Sequence, residues 1–274
     1  MWNPAAISVV LSVIAVLGVV AITAVRLRVH RHVTPGRHHL ARTSAVAAVG
    51  VAAGLSVQML APAAPAFAAG VPVTYYAGNA GYDVYSTSVP PANASVQFQV
   101  PTLSCAKGKQ DIGFGILLEN TSGGVSQPIV DEACAKGKPV YTAFILINSS
   151  GTTLSTTVHA NDLISLSASQ TAAGTSATFT DNTTGFSSTL TGPGSTPEYA
   201  FIGSVPGTKK VPVFSTFTFT NARVNGASLG TYTGATGLSQ AIQTKRGKTP
   251  PKGTVEIQSG TLGLSSFSLT WVSA

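Results

Sequence analysis

Beyond residue 70 the chain is a succession of short runs in which apolar and polar residues alternate. They fall at residues 95–100, 112–118, 140–147, 163–168, 176–180, 199–202, 214–220 and 267–272. The clearest reads FSTFTFTN, with Phe214, Phe217 and Phe219 set among Thr and Ser. Over residues 217–220 the period is strictly two, so one face is buried and the other is wet. Gly, Pro, Asn and Asp punctuate the runs, and no long stretch carries a helical period. Many short strands with regular turns predict an all-β fold, an antiparallel β-sandwich occupying residues 70–274 as one domain.

The first part of the chain has another pattern. Residues 5–25 carry no charge, and a helix of that length spans about 31 Å, the thickness of a bilayer core. A basic stretch follows, with Arg26, Arg28, Arg31, Arg37 and Arg42 beside His30, His32, His38 and His39. It reads as a loop held on the cytoplasmic side by its positive charge. Residues 1–43 are thus expected to form a membrane-spanning helix plus a basic loop. No acid or Cys accompanies the four histidines and Pro35-Gly36 interrupts them, so no metal site is expected there. Residues 44–69 form a second uncharged stretch that breaks at Pro62 and Pro65 and ends Ala66-Phe67-Ala68. A basic start, an apolar middle and small residues at Ala66 and Ala68 make a secretory signal with its cleavage site. Either the true start lies downstream near Val33, or a first span precedes a second, cleavable one. In both cases everything after Ala68 is exported and the membrane is met only through these N-terminal segments.

The charge balance agrees with that division. The net charge is +7, but five of the 16 basic residues lie before residue 70, which leaves 11 Lys/Arg against 9 Asp/Glu beyond it. The domain itself has no basic face for nucleic acid. Two cysteines, Cys105 and Cys134, exclude a multi-cysteine metal centre. In an oxidising compartment they fit a disulfide, with two free buried thiols as the alternative. No phosphate-binding loop or Asp-rich calcium loop occurs, and no cofactor is expected. His159, in VHAND, reads as a turn residue, and KRGKTPPKG (245–253) as a solvated basic connection.

The order of segments in the exported part resembles the bacterial branch of the glutamic peptidases, or eqolisins. The likeness is carried by SVQFQVPTLSC (95–105), VSQPIVDEAC (125–134), KPVYTAF (138–144), NDLISLSAS (161–169), ATFTDNTTGFSSTL (177–190), TPEYAFI (196–202), PVFSTFTFTNARVNG (212–226) and SSFSLTWVSA (265–274). The resemblance implies a concanavalin-like sandwich of two curved antiparallel sheets. It also implies a groove chemistry in which a Glu activates water and protonates the leaving amine, while a Gln positions the water and stabilises the oxyanion. Gln127 falls at the place of that Gln. The motif that ends in the catalytic Glu reads Glu198-Tyr199-Ala200-Phe201-Ile202, so the first Glu is kept, as a structural residue, and Ile202 stands for the catalytic one. Leu118 and Leu146 stand at two further acidic positions, and Phe114 at a groove Trp.

An Ile cannot accept a proton, and general acid–base help worth about 10²–10⁴ in rate is lost with the carboxylate. The expectation is therefore a catalytically degenerate, exported or membrane-linked binding protein, taking a peptide, a glycan or another envelope component in the groove. One alternative is an active acid endopeptidase with Asp131, Glu132 or Glu198 as a substitute base. Asp131 and Glu132 are expected in a solvated loop. A carbohydrate-binding module is the second alternative, by architecture alone.

Overall fold

Alternation of apolar and polar residues, together with turn residues between the runs, folds this chain almost wholly into strands. The structure, a computed structural model, describes residues 71–86, 88–106, 108–205, 210–232, 236–244 and 255–273. The membrane-spanning segment of 1–43 and the signal of 44–69, with Ala66 and Ala68, lie outside the described residues. Among the described residues no helix is long and apolar enough to cross a membrane.

The strands are β1 (Val73–Tyr76), β2 (Ala80–Ser86), β3 (Asn93–Gln99), β4 (Leu103–Ser104), β5 (Gln110–Asn120), β6 (Val125–Ala135), β7 (Lys138–Ile147), β8 (Ser150–Thr153) and β9 (Leu163–Thr171). Then come β10 (Gly174–Asp181), β11 (Phe186–Gly192), β12 (Pro197–Val205), β13 (Val213–Phe214), β14 (Phe217–Val224), β15 (Ala227–Ser228), β16 (Thr236–Thr244), β17 (Val255–Ser259) and β18 (Phe267–Trp271). One layer runs β11-β10-β9-β3-β14-β18 and the other β16-β2-β12-β5-β6-β7-β8. β17 pairs with both β18 and β16 and so joins the layers along one side. Among the described strands every ladder is antiparallel except β1 on β16.

The layers meet face to face, as expected for a sandwich. Phe114 of β5 lies 4.7 Å, ring to ring, from Phe217 of β14. Tyr82 of β2 lies 4.8 Å from Phe267 of β18, and the Ser126 hydroxyl of β6 donates to the Ser176 carbonyl of β10. Phe98, Phe214 and Phe219 extend this edge-to-face network, each pair adding about 0.5–1.5 kcal/mol beyond area burial. The Phe residues that set the period-two pattern are therefore the centre of the core.

β6 corrects one expectation. The segment around Asp131 and Glu132 is not a solvated loop but part of a central strand, paired there with both β5 and β7. Pro128 lacks an N–H to give to a ladder, which argues against a central strand. Its place is made where the β5 ladder steps from Gly115–Ile129 to Leu118–Ser126. The β6–β7 hairpin turns on Lys136-Gly137, both at positive φ (53° and 76°), and Ala135 pairs with Lys138 across them. Such a two-residue turn matches the strand twist and fixes the register. Cys105 and Cys134 form a disulfide, which ties the segment before β5 to the end of β6.

Candidate functional site

Gln127 is on β6, and the strand's pleat decides what surrounds it. Ser126, Val130, Glu132 and Cys134 point between the layers. Val125, Gln127, Ile129 and Asp131 point to the outer face of the sheet, away from the other layer. A second cluster, Leu117, Val125, Ile129, Phe144, Leu146, Phe201 and Ala241, covers this outer face and is separate from the main core.

Register then fixes Gln127's neighbours. Leu146 of β7 pairs with it directly, as set by the Lys136-Gly137 turn. The β5 ladder keeps one register on both sides of its break at residues 116–117, which puts Leu117 on its other side; Phe201 of β12 pairs with Leu117, and Asp83 of β2 pairs with Phe201. The row across the sheet thus reads Asp83, Phe201, Leu117, Gln127, Leu146. One step along, Tyr85, Tyr199, Glu119 and Val125 form the next row. Tyr199 donates its hydroxyl hydrogen to the Asp83 carboxylate, which joins the two rows. Glu119 is the diagonal neighbour of Gln127, with Cβ atoms about 7–8 Å apart, within reach of two long side chains.

The floor is filled by side chains lying over glycines. Phe201 covers Gly203, Phe144 covers Gly151 and Ile129 covers Gly113, and at Gly203 and Gly151 no Cβ would fit. Phe201 is only 1% exposed and Gln127 8%. Gln127 is therefore itself largely enclosed on this apolar face, flanked in its own row by two leucines.

Several positions named from the sequence lie elsewhere. Ile202 and Leu118 belong to the core between the layers, and Phe114 packs against Phe214 and Phe217 there. None of the three faces Gln127. Each is one residue out of phase, and a one-residue slip along a strand exchanges its faces. The residues that do face outward from those stretches are Phe201, Glu119 and Gly115. Leu146 alone of the four replaced positions is beside Gln127. Glu198 is exposed at the start of β12, where the ladder to β5 shifts register. His159 occupies a turn, its ring 3.6 Å from the Asp162 carboxylate.

Two acids of this strand have distinct settings. Asp131 shares the face of Gln127, but four residues along β6 is about 13 Å. Its pKa is raised to about 7, first by burial and then by the negative charge of Asp111. Glu132 is completely buried on the inner face, and burial followed by the charge of Asp131 holds its pKa well above the usual carboxylate range. Neither is placed to share a water with the Gln127 amide. Among the described residues no group of three or more His, Cys, Asp or Glu is arranged to hold a metal ion.

Phe201, Leu117, Asp83, Tyr199 and Glu119 were not singled out from the sequence as facing Gln127. The signal was present for Tyr199 and Phe201, which alternate in EYAFI, but the face that each occupies depends on the pairing of β12 with β5 and β2.

No protein family and no curated protein match the chain. Solved structures do. A crystal structure of scytalido-glutamic peptidase with a peptide-based transition-state analogue superposes with a TM-score of 0.56 at 15% identity, covering 72% of this chain and 98% of that one. SCP-B, a member of the eqolisin family of peptidases in complex with the tripeptide Ala-Ile-His, superposes with a TM-score of 0.51 at 17% identity, covering 71% and 98%. The chain is thus a β-sandwich with the fold of the glutamic peptidases, carrying its own set of side chains on the outer sheet face.

Proposed function

We propose that this chain is an exported sandwich of glutamic-peptidase type that binds a peptide across the outer face of β12, β5, β6 and β7 without cleaving it. The observation that carries this reading is the row Phe201, Leu117, Gln127, Leu146, in which a leucine lies on each side of the amide and β12 presents a phenyl ring beyond Leu117. A phenyl ring can neither take a proton from water nor give one to a leaving amine, and Gln127 alone stabilises charge without creating a nucleophile. What remains is a binding surface. The amide offers one acceptor and two donors to a peptide backbone, and the apolar floor takes a side chain. The peptide-like ligands of the two solved relatives support peptide as the ligand class. The disulfide supports export, as does the signal-like N-terminal segment.

The test uses residues 69–274 with a fluorescent peptide library at pH 3–7, reading binding by anisotropy and cleavage by mass spectrometry. Binding without cleavage, weakened by Gln127→Ala, is the expected result. Acid-pH proteolysis abolished by Gln127→Ala refutes the reading and makes the chain an endopeptidase. One observation favours that second reading, the diagonal placement of Glu119, and Glu119→Gln would then abolish cleavage as well.

A further inference from the structure

We infer that β6 is locked in the sheet by acidity: Glu132, protonated on its inner face, keeps the strand packed, and ionisation of that carboxyl releases the strand and with it the site around Gln127. The structural part of this inference rests on the fold alone. Its consequence for ligand binding rests on the reading given above.

Glu132 is 0% exposed. Neither of its carboxyl oxygens has a hydrogen-bond partner. It pairs with Ile112 on β5 and with Tyr141 on β7. The Tyr141 oxygen is engaged by the Leu103 backbone N–H, and its own pKa is raised, mainly by burial. Across the sandwich the inner faces of β9 and β10 present one ionisable group, Asp181. Its carboxylate is already held by the Thr183 and Thr184 N–H groups and the Thr184 hydroxyl. Asp131 is next in the chain, on the opposite face, with Asp111 near it. The groups that face Glu132 on the inner side, Tyr141 and Asp181, offer it no positive charge, and Lys210 meets this region through its backbone carbonyl, which accepts from the Asp111 N–H. A neutral carboxyl can be tolerated in this place, whereas an unpaired carboxylate cannot.

The sign follows from where the proton is held. Both Glu132 and Asp131 bind their protons more tightly folded than unfolded. For such carboxyls the stabilisation is complete below the unfolded pKa and is lost as pH rises towards the folded one. The loss begins near pH 4, runs to about 7 for Asp131 and continues above that for Glu132. Each carboxyl changes the folding equilibrium by up to about tenfold per pH unit. Asp131 keeps part of its surface in water, so it delivers less than this limit. Because Glu132 and Gln127 share one strand, the same titration that loosens the core withdraws the amide from the outer face.

The experiment compares the full chain with its Glu132→Gln and Glu132→Leu variants between pH 4 and 9. The denaturation midpoint and hydrogen exchange of the β6 amides are the readouts, with peptide binding measured on the same samples. The wild type is expected to lose stability as pH rises and to exchange β6 amides faster. Both variants, which cannot ionise, should lose up to about tenfold less per pH unit. Variants that follow the wild-type profile overturn the inference. So does failure of both to fold at pH 4, since an uncharged group must be accepted there. A stability profile that flattens in the variants with no peptide bound at any pH leaves the lock standing and removes the peptide reading instead.

Discussion

Phe201→Glu puts an acid where the outer face of β12 now carries a phenyl ring. Phe201 and Gln127 lie on the two strands that flank β5, with Leu117 between them. Two strand spacings separate their backbones by about 9.6 Å. A Glu and a Gln side chain reaching towards each other over Leu117 leave room for one water, the geometry that general acid–base catalysis requires. The substitution removes a ring that is 1% exposed and fills the space over Gly203, at a cost of about 3–5 kcal/mol. At pH 3–5 the new carboxyl is partly neutral, which softens that cost. A domain of ordinary stability, about 5–15 kcal/mol, survives it near the upper end of that range. The gain is cleavage of an apolar peptide at acid pH, with the carboxyl supplying about 10²–10⁴ in rate. The assay is mass-spectrometric detection of products, with Phe201→Gln as the control of matched shape and the double variant with Gln127→Ala as the control for the amide. Folded Phe201→Glu protein that cleaves no faster than Phe201→Gln refutes the claim that the missing acid on β12 silences the site. Ile202→Glu provides the contrast. It buries a carboxyl in the core, and circular dichroism should show an unfolded chain at pH 7 with no cleavage at any pH.

Two further outcomes follow from the packing. Reduction of the Cys105–Cys134 bridge, which spans a sequence separation of 29, should lower unfolding free energy by about 3.6 kcal/mol in the loop-entropy account. A denaturant midpoint that does not move with reductant contradicts this. Phe114→Ala empties a fully buried position contacted by Phe214 and Phe217 and should cost about 3–5 kcal/mol, measured by the same denaturation, with Gln127 still on the outer face.

Phe217 and Phe219 alternating with Thr identify a half-buried strand without any knowledge of its partners, because pleat parity is a local property. The same locality made seven of the longer strands legible in outline. β6 was not legible. Pro128 argues against a central strand, and Asp131 with Glu132 argues for solvent, yet Glu132 is fully buried and Asp131 half-buried. What covers them is β5 and β7 on either side and, over Glu132, the facing layer, all supplied from elsewhere in the chain. The Lys136-Gly137 turn was the available signal for that hairpin.

The sequence by itself determined the all-β class, the strand-and-turn rhythm, Cys105 and Cys134 as its only cysteines, and Gln127 as the residue to follow. It did so because alternation and turn chemistry act over a few residues. Which side chains meet Gln127 was decided only in the folded sheet. There Ile202 and Leu118 turn to the core while Phe201 and Glu119 turn outward. A strand's two faces are equivalent until it is paired, and a register difference of one residue is enough to exchange them.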